Sequence, residues 1–406
     1  MYLRNGRIGM ADLGSKETSE QEFIEEATWE GMSSLVIAER LAEEHGQDSI
    51  VLGTGVLTGS FVPAASSGIV RAGRDADGRQ RVMPVMGMAG FELKLSGFDF
   101  IVVKGRAEKP SYLWVRDGMI DIVEAEDMTK LSSWARTDKI RADQGDAKIQ
   151  VVAAGPWGDA GHPQAQAVVE YWGGDDKAGV GSEFGRKNLV AVAVRGMGEL
   201  ELSEPEGHFE DAILLMREHL VTLGENRGLA SYSDVAARED FRKLVHRNVG
   251  CYGCPFPCRS YLKVAEDPGE LRLVSKEPGY LHYDVPALAK AFELGMDARD
   301  ATVALIDCAK AGAEPHSVLS WALELSEKVT PQTVSEVLAN PKDLKRVLID
   351  RPPANLEAAF DDVDTYRACL GLGLCPRYWS KVGFDMVQVA SFAEDLLGRT
   401  VPVDDA

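Results

Sequence analysis

The stretch Cys251-Tyr-Gly-Cys254-Pro-Phe-Pro-Cys258 sets three thiols at C-x-x-C-x-x-x-C spacing among glycine and proline. Gly253, Pro255 and Pro257 interrupt regular helix or strand, so the stretch reads as a loop that turns its sulfurs toward one centre. Thiolates grouped this way are soft ligands, and zinc and an iron–sulfur cluster are the two soft centres they suit. A structural zinc site would show a second close Cys or His pair about a dozen or two residues further on. The next cysteine is Cys308 and the nearest downstream histidine is His282, neither of them paired. Three clustered cysteines and a distant fourth favour a [4Fe–4S] cluster over zinc. The reading without a metal is three buried free thiols, since free cysteine is a common core residue.

Cys308, Cys369 and Cys375 compete for the fourth position. Cys308 sits in the apolar helical run Val303-Ala-Leu-Ile-Asp-Cys-Ala and reads as a core thiol, whereas Cys369, in Tyr366-Arg-Ala-Cys-Leu, reads either way. Cys375 ends Leu370-Gly-Leu-Gly-Leu-Cys375 and precedes Pro376, a glycine-relieved loop like the first. Glycines there let backbone N–H groups approach cluster sulfurs, so Cys375 is taken as the fourth ligand.

Around these cysteines lies a chain of 406 residues, long enough for two or three domains, with 45% hydrophobic residues to fill their cores. A formal net charge of -20 argues against phosphate-backbone binding, which relies on clustered Lys and Arg. No apolar run is long enough to span a membrane, and Met1-Tyr-Leu-Arg-Asn-Gly lacks the form of a signal peptide. The expectation is a soluble, cytoplasmic protein that binds neither nucleic acid nor membrane. Six cysteines are too few for a disulfide framework, and seven scattered histidines argue against a histidine-built metal centre.

The chain divides by composition into an N-terminal mixed β-sheet domain, residues 1–204, and a mainly α-helical iron–sulfur domain, residues 205–406, an α+β architecture. In the first half, strands are expected over Ser49–Leu52, Phe98–Lys104, Tyr112–Val115, Ile149–Ala154 and Leu189–Val194, with few helices. Gly53 to Gly59 reads as a flexible turn, and Gly105 to Pro110 as a hairpin-like link between the second and third strands. In the second half, apolar residues at helical intervals predict helices over Phe209–Thr222, Glu239–Val249, Pro286–Leu294, Ala298–Ala311, Ser317–Val329, Pro331–Ala339, Lys342–Asp350 and Asp385–Leu397.

Taken together, these stretches resemble the aldehyde ferredoxin oxidoreductase family, whose members carry a tungsten or molybdenum bis-pterin beside a [4Fe–4S] cluster. Gly55-Val-Leu-Thr-Gly59 is similar to the family's G-P-L-T-G. The run from Gly90 to Pro110 is similar to G-x-E-L-K-x-A-G-Y-D-x-I-V-x-x-G-x-A-x-x-P, and Gly179-Val-Gly181 through Leu189 to G-V-G-x-x-x-G-S-K-N-L. The resemblance implies cluster ligation by Cys251, Cys254, Cys258 and Cys375, and cofactor contacts from Lys94, Gly179, Gly181, Lys187 and Asn188. Glu277, where relatives have E-G-P-E-Y, is implied as a general base, with His282 as a second catalytic group; Glu92 and Tyr283 are further polar candidates. The family's basic H-R-x-x-G-R-G segment reads Gly173-Gly174-Asp175-Asp176-Lys177 here, acidic instead. Each guanidinium contact to a pterin phosphate lost in this way forgoes about 1.5–3 kcal/mol.

Two functions of different class follow. One is an oxidoreductase of this family, passing electrons between a substrate and pterin site and a ferredoxin-like carrier through the cluster. The other is a pterin-free electron-transfer or scaffolding subunit beside a partner oxidoreductase subunit; either is expected to form homo- or hetero-oligomers. Tyr378 and Trp379, next to Cys375, read as part of a contact surface or as core packing.

Overall fold

The computed structural model describes residues 2–24, 28–74, 78, 80–224, 234–264, 280–281, 284–340 and 363–401. Glu277, His282, Tyr283 and the helix expected over Lys342–Asp350 lie outside the described residues. The strands are β1 Arg7–Asp12, β2 Glu17–Glu22, β3 Ile50–Thr54, β4 Gly68–Arg74, β5 Gln80–Val85, β6 Phe100–Lys104, β7 Ser111–Arg116, β8 Met119–Glu124, β9 Gln150–Ala154, β10 Ala167–Val169, β11 Leu189–Arg195, β12 Val245–Val249, β13 Arg259–Leu262 and β14 Tyr280–Leu281. The helices are α1 Trp29–Met32, α2 Ser34–His45, α3 Ala89–Leu95, α4 Ser133–Gln144, α5 Pro156–Asp159, α6 Val180–Arg186, α7 Pro205–Leu223, α8 Glu239–Leu244, α9 Val285–Glu293, α10 Ala298–Ala311, α11 Pro315–Leu325, α12 Pro331–Ala339, α13 Val363–Leu372, α14 Pro376–Val382 and α15 Met386–Leu397.

Two mixed sheets build the N-terminal half, ordered β2-β1-β6-β3-β4-β5 and β10-β9-β11-β7-β8. β6 reads Phe-Ile-Val-Val and β11 reads Leu-Val-Ala-Val-Ala-Val, continuous apolar runs that suit central strands covered on both faces. Ile101 and Val103 of one sheet share a core with Leu113, Val115, Val152, Val192 and Val194 of the other, so the sheets pack face to face. On the outer faces, Ile37 and Leu41 of α2 cover Phe100 and Val102, and Ile140 of α4 covers Trp114, Val151 and Ala193. The edge strand β2, Glu-Thr-Ser-Glu-Gln-Glu, is exposed throughout, a charged edge that discourages further pairing.

The expected α+β organisation is observed, with corrections to particular elements. β6 and β7 do not form a hairpin, because they belong to different sheets. β7 pairs instead with β8 around Asp117-Gly118, whose φ values of 41° and 77° are those of a tight primed turn. The N-terminal half also holds more helix than expected, with α2 and α4 as the outer covers. The helix predicted over Glu239–Val249 stops at Leu244, and Val245-His-Arg-Asn-Val249 continues as β12. Its alternating burial and β-branched ends suit a half-buried strand, and it pairs with β13.

Helices α9–α12 pack on the sheet half through Trp157, whose Nε1 donates to Leu338 O at 3.1 Å, and through Gln166 N, which donates to Gly312 O at 2.8 Å. Lys177 lies at this junction, its Nζ 2.8 Å from Asp284 Oδ2 and 3.3 Å from Glu314 Oε1. Those two carboxylates cap α9 and α11 by accepting from Ala287 N and Ser317 N, so one lysine clamps the N-termini of two helices. No helix of the described residues is long and apolar enough to cross a membrane.

Candidate functional site

The three clustered cysteines occupy the loop of the β12–β13 hairpin, with Val249 paired to Arg259 at its base. Cys254 N donates to Cys251 O at 3.2 Å across a turn in which Gly253 takes φ 61°, a value that costs glycine little. Cys375 is the N-cap of α14, with Pro376 in the first turn where a missing N–H costs nothing. One residue of the sheet half joins the two segments: Ala64 N donates to Gly253 O at 3.2 Å, and Cys375 N donates to Ala64 O at 3.0 Å. Ala64 holds φ 61°, an uncommon conformation for a residue with a Cβ, and both of its peptide groups are fixed by the cysteine segments.

The segment Gly55 to Gly59, expected as a flexible turn, is a packed floor beneath Cys375. Leu57 N donates to Leu372 O and Ser67 N to Gly373 O, both at 3.0 Å, and Ser67 Oγ donates to Leu374 O at 3.1 Å. A Cβ on Gly55 would fall 2.1 Å from Gly373 N, so only glycine lets the two backbones meet. Val56, Leu57, Val62, Met86, Phe256, Leu374, Tyr378 and Trp379 share one apolar core with Cys258 and Cys375, and Cys251 and Cys254 pack against it. Tyr378 and Trp379 are 1% and 0% exposed, which settles them as core and not surface; the Tyr378 hydroxyl lies 2.6 Å from His219 Nδ1 on α7.

None of the six cysteines is in a disulfide. Burial pushes the Cys254 thiol well up, and Cys251, Cys375 and Cys258 push it further. Cys375 is raised to about 12 by burial and then by Cys251 and Cys258. Cys258 is raised by burial and by Cys251, against the pull of the Arg377 and Arg259 guanidiniums. The four thiols therefore act on one another although Cys258 and Cys375 are more than a hundred residues apart. Among the described residues no three His, Cys, Asp or Glu side chains close tightly enough for a single metal ion. The donor set, four mutually interacting thiols in an apolar pocket with cations beside them, fits a cluster whose irons each take one thiolate. Cys308 lies in a different core, among the helices of the C-terminal half, and Cys369 is fully buried next to Cys375.

The sequence signal for the two arginines is their position: one directly follows Cys258 and the other stands two residues after Cys375. Arg259 is 5% exposed, lies 4.6 Å over the Trp172 ring and donates to Gly250 O at 2.8 Å. Arg377 forms a buried ion pair with Asp175, from the acidic Gly173–Lys177 segment.

The residues implied as cofactor contacts are spent inside the fold. Lys94 is fully buried with its Nζ 3.2 Å from Asp99 Oδ1. Lys187 Nζ donates to Asp48 Oδ2 and Gly105 O, and Asn188 Nδ2 to Ala107 O and Glu108 O, all at 3.2 Å, so these two fasten one loop. Gly179 is the N-cap of α6, and Gly181 N donates to Asp176 Oδ2 at 2.9 Å. Glu92 accepts from Arg195 Nη1 at 3.1 Å and Gly196 N at 2.7 Å. Asp176 takes four backbone N–H bonds, from Ala167, Ala178, Val180 and Gly181. Each of these side chains thus has bonding partners within the chain itself.

The family profile of the aldehyde ferredoxin oxidoreductase N-terminal domain matches residues 10–196. The tungsten-containing aldehyde ferredoxin oxidoreductase of Pyrococcus furiosus is 29% identical over 301 residues, covering 64% of this chain and 49% of the relative. That of Thermococcus kodakarensis is 25% identical over 299 residues, with the same coverage. An aliphatic sulfonate oxidoreductase, WOR-like subunit, of Pyrococcus furiosus is 26% identical over 253 residues, covering 54% of this chain and 38% of the relative. The chain thus spans about half the length, or less, of these relatives. In the solved active site complex BamBC of benzoyl coenzyme A reductase, one chain shares the fold with TM-score 0.65 and 18% identity, over 97% of this chain and 65% of that one. On its sequence matches and its architecture, the chain is similar to the aldehyde ferredoxin oxidoreductase family, most specifically to its N-terminal domain over residues 10–196.

Proposed function

We propose that this chain is the electron-passing part of an oxidoreductase, with Cys251, Cys254, Cys258 and Cys375 holding a [4Fe–4S] cluster. The observation that carries the reading is the meeting of the hairpin loop and the Cys375 segment on Ala64, with Cys258 and Cys375 in one apolar core and Cys251 and Cys254 packed against it. When bound, such a cluster takes up and returns single electrons. The protein's part is to fix the sulfurs: the hairpin loop and the α14 N-cap are pinned on Ala64, the Gly55–Gly59 floor excludes water, and Arg259 and Arg377 offset thiolate charge. The partner in this reading is a ferredoxin-like carrier or a partner oxidoreductase subunit, in a reducing, cytoplasmic setting that keeps thiols available.

A second reading, favoured by the tungsten-containing relatives, adds a tungsten or molybdenum pterin and gives Glu277 and His282 catalytic roles. Anaerobically purified protein decides between them by elemental analysis with electron paramagnetic resonance of the reduced form. About four irons and four sulfides per chain with a reduced-cluster signal are expected. Zinc in place of iron would overturn the cluster; tungsten or molybdenum at about one per chain would establish the second reading.

A further inference from the structure

We propose that the buried Arg377–Asp175 pair sets the reduction potential of the centre held by the four cysteines, Arg377 favouring the reduced state and Asp175 opposing it. This rests on the cluster reading above. Both side chains are 3% exposed, and the pair joins α14 to the 173–177 segment of the sheet half. A buried ion pair is weak evidence for stability, because desolvating two charges consumes most of their attraction. Arg377 is also badly placed for its own helix, since a cation in the first turn of α14 faces the positive end of the peptide dipoles.

Arg377 of the pair lies in the first turn of the helix that Cys375 caps, two residues after that cysteine. The guanidinium acts on both Cys258 and Cys375, and the carboxylate acts on Cys258 in the opposite sense. Four thiolates around a centre make it strongly anionic, and one more electron makes it more so, so a fixed buried cation stabilises the reduced form and a fixed anion the oxidised form. Arg259, clamped by Trp172 and Gly250 O, supplies a constant second positive charge. The Arg377–Asp175 pair is then the adjustable element, because either member is removable without touching a ligand.

The test is an anaerobic titration of the purified protein against viologen mediators, followed by electron paramagnetic resonance. Each mediator radical cation gives up one electron and ends as the dication, the electron passes to the protein-held centre, and no bond or proton changes. R377M should lower the midpoint and D175N should raise it, each by at least tenfold in the oxidised-to-reduced ratio, about 59 mV for one electron. The double variant should return toward wild type. Single variants that keep the signal but do not move, or that move in the same direction, overturn the proposal. If R377M does not accumulate, the sign of the D175N shift decides alone. A wild-type protein without iron refutes the underlying reading, an outcome distinct from a wild-type signal that the variants leave unmoved.

Discussion

Replacing Lys177 by Met would remove the cation that the Asp284 and Glu314 carboxylates share at the junction of the two halves. In the native protein burial pushes Asp284 up and Lys177 only partly offsets this. Burial pushes Glu314 up as well, but Lys177 and the Ser317 bonds outweigh it and leave Glu314 lowered. Breaking a buried pair by deleting one partner costs about 3–5 kcal/mol. Here each carboxylate keeps its helix N–H, from Ala287 at 3.3 Å and Ser317 at 2.7 Å, which places the expected loss at the lower end, about 3–4 kcal/mol. Against a total stability of about 5–15 kcal/mol this is plainly measurable by urea unfolding followed by circular dichroism. The pH dependence carries the sign. Without Lys177 the buried acids have folded pKa values above their unfolded ones, so the folded state binds more protons and its penalty shrinks as pH falls from 7 toward 5. Adding E314Q to K177M should likewise restore part of the loss. A loss under about 1 kcal/mol at pH 7, or one that grows on acidification, would refute this account of the clamp.

Other perturbations follow from the site and its surroundings. Cys254→Ser should abolish the reduced-cluster resonance while Cys308→Ala leaves it, and an unaltered spectrum in C254S removes Cys254 from the ligand set. Gly55→Ala should cost about 3 kcal/mol, the upper end for overpacking because the opposing atoms are backbone; it should also lower iron retained per chain through displacement of the Cys375 segment, and full iron with native stability would contradict the packed floor. His208 is 1% exposed, finds no hydrogen-bond partner for either ring nitrogen among the described residues, and is lowered to about 4 by burial. A group depressed in this way binds its proton first in the unfolded state, so the wild type loses stability as pH falls from about 6.5 toward 4. His208→Leu should flatten that limb and add about 1–3 kcal/mol at neutral pH, measured as the urea midpoint at several pH values.

Elements whose signal is local can be read from the order of residues alone. The central strands β6, β9 and β11 are apolar runs that suit no solvent-facing structure, and α10, α12 and α15 keep helical spacing between clear caps, so both halves were legible. The C-x-x-C-x-x-x-C loop was equally plain, because proline and glycine at those positions exclude regular structure. Partner choice was not local. Nothing between Lys104 and Ser111 tells that the two strands enter different sheets, and His-Arg-Asn within β12 carries no strong strand preference until β13 pairs with it. Nor does the spelling of Lys94, Lys187 or Asp176 reveal whether each is kept for a ligand or consumed within the fold; their bonding was decided by groups up to more than a hundred residues away. The convergence of Cys375 on the hairpin loop was likewise a tertiary decision, made where Ala64 joins backbones that the chain itself keeps far apart.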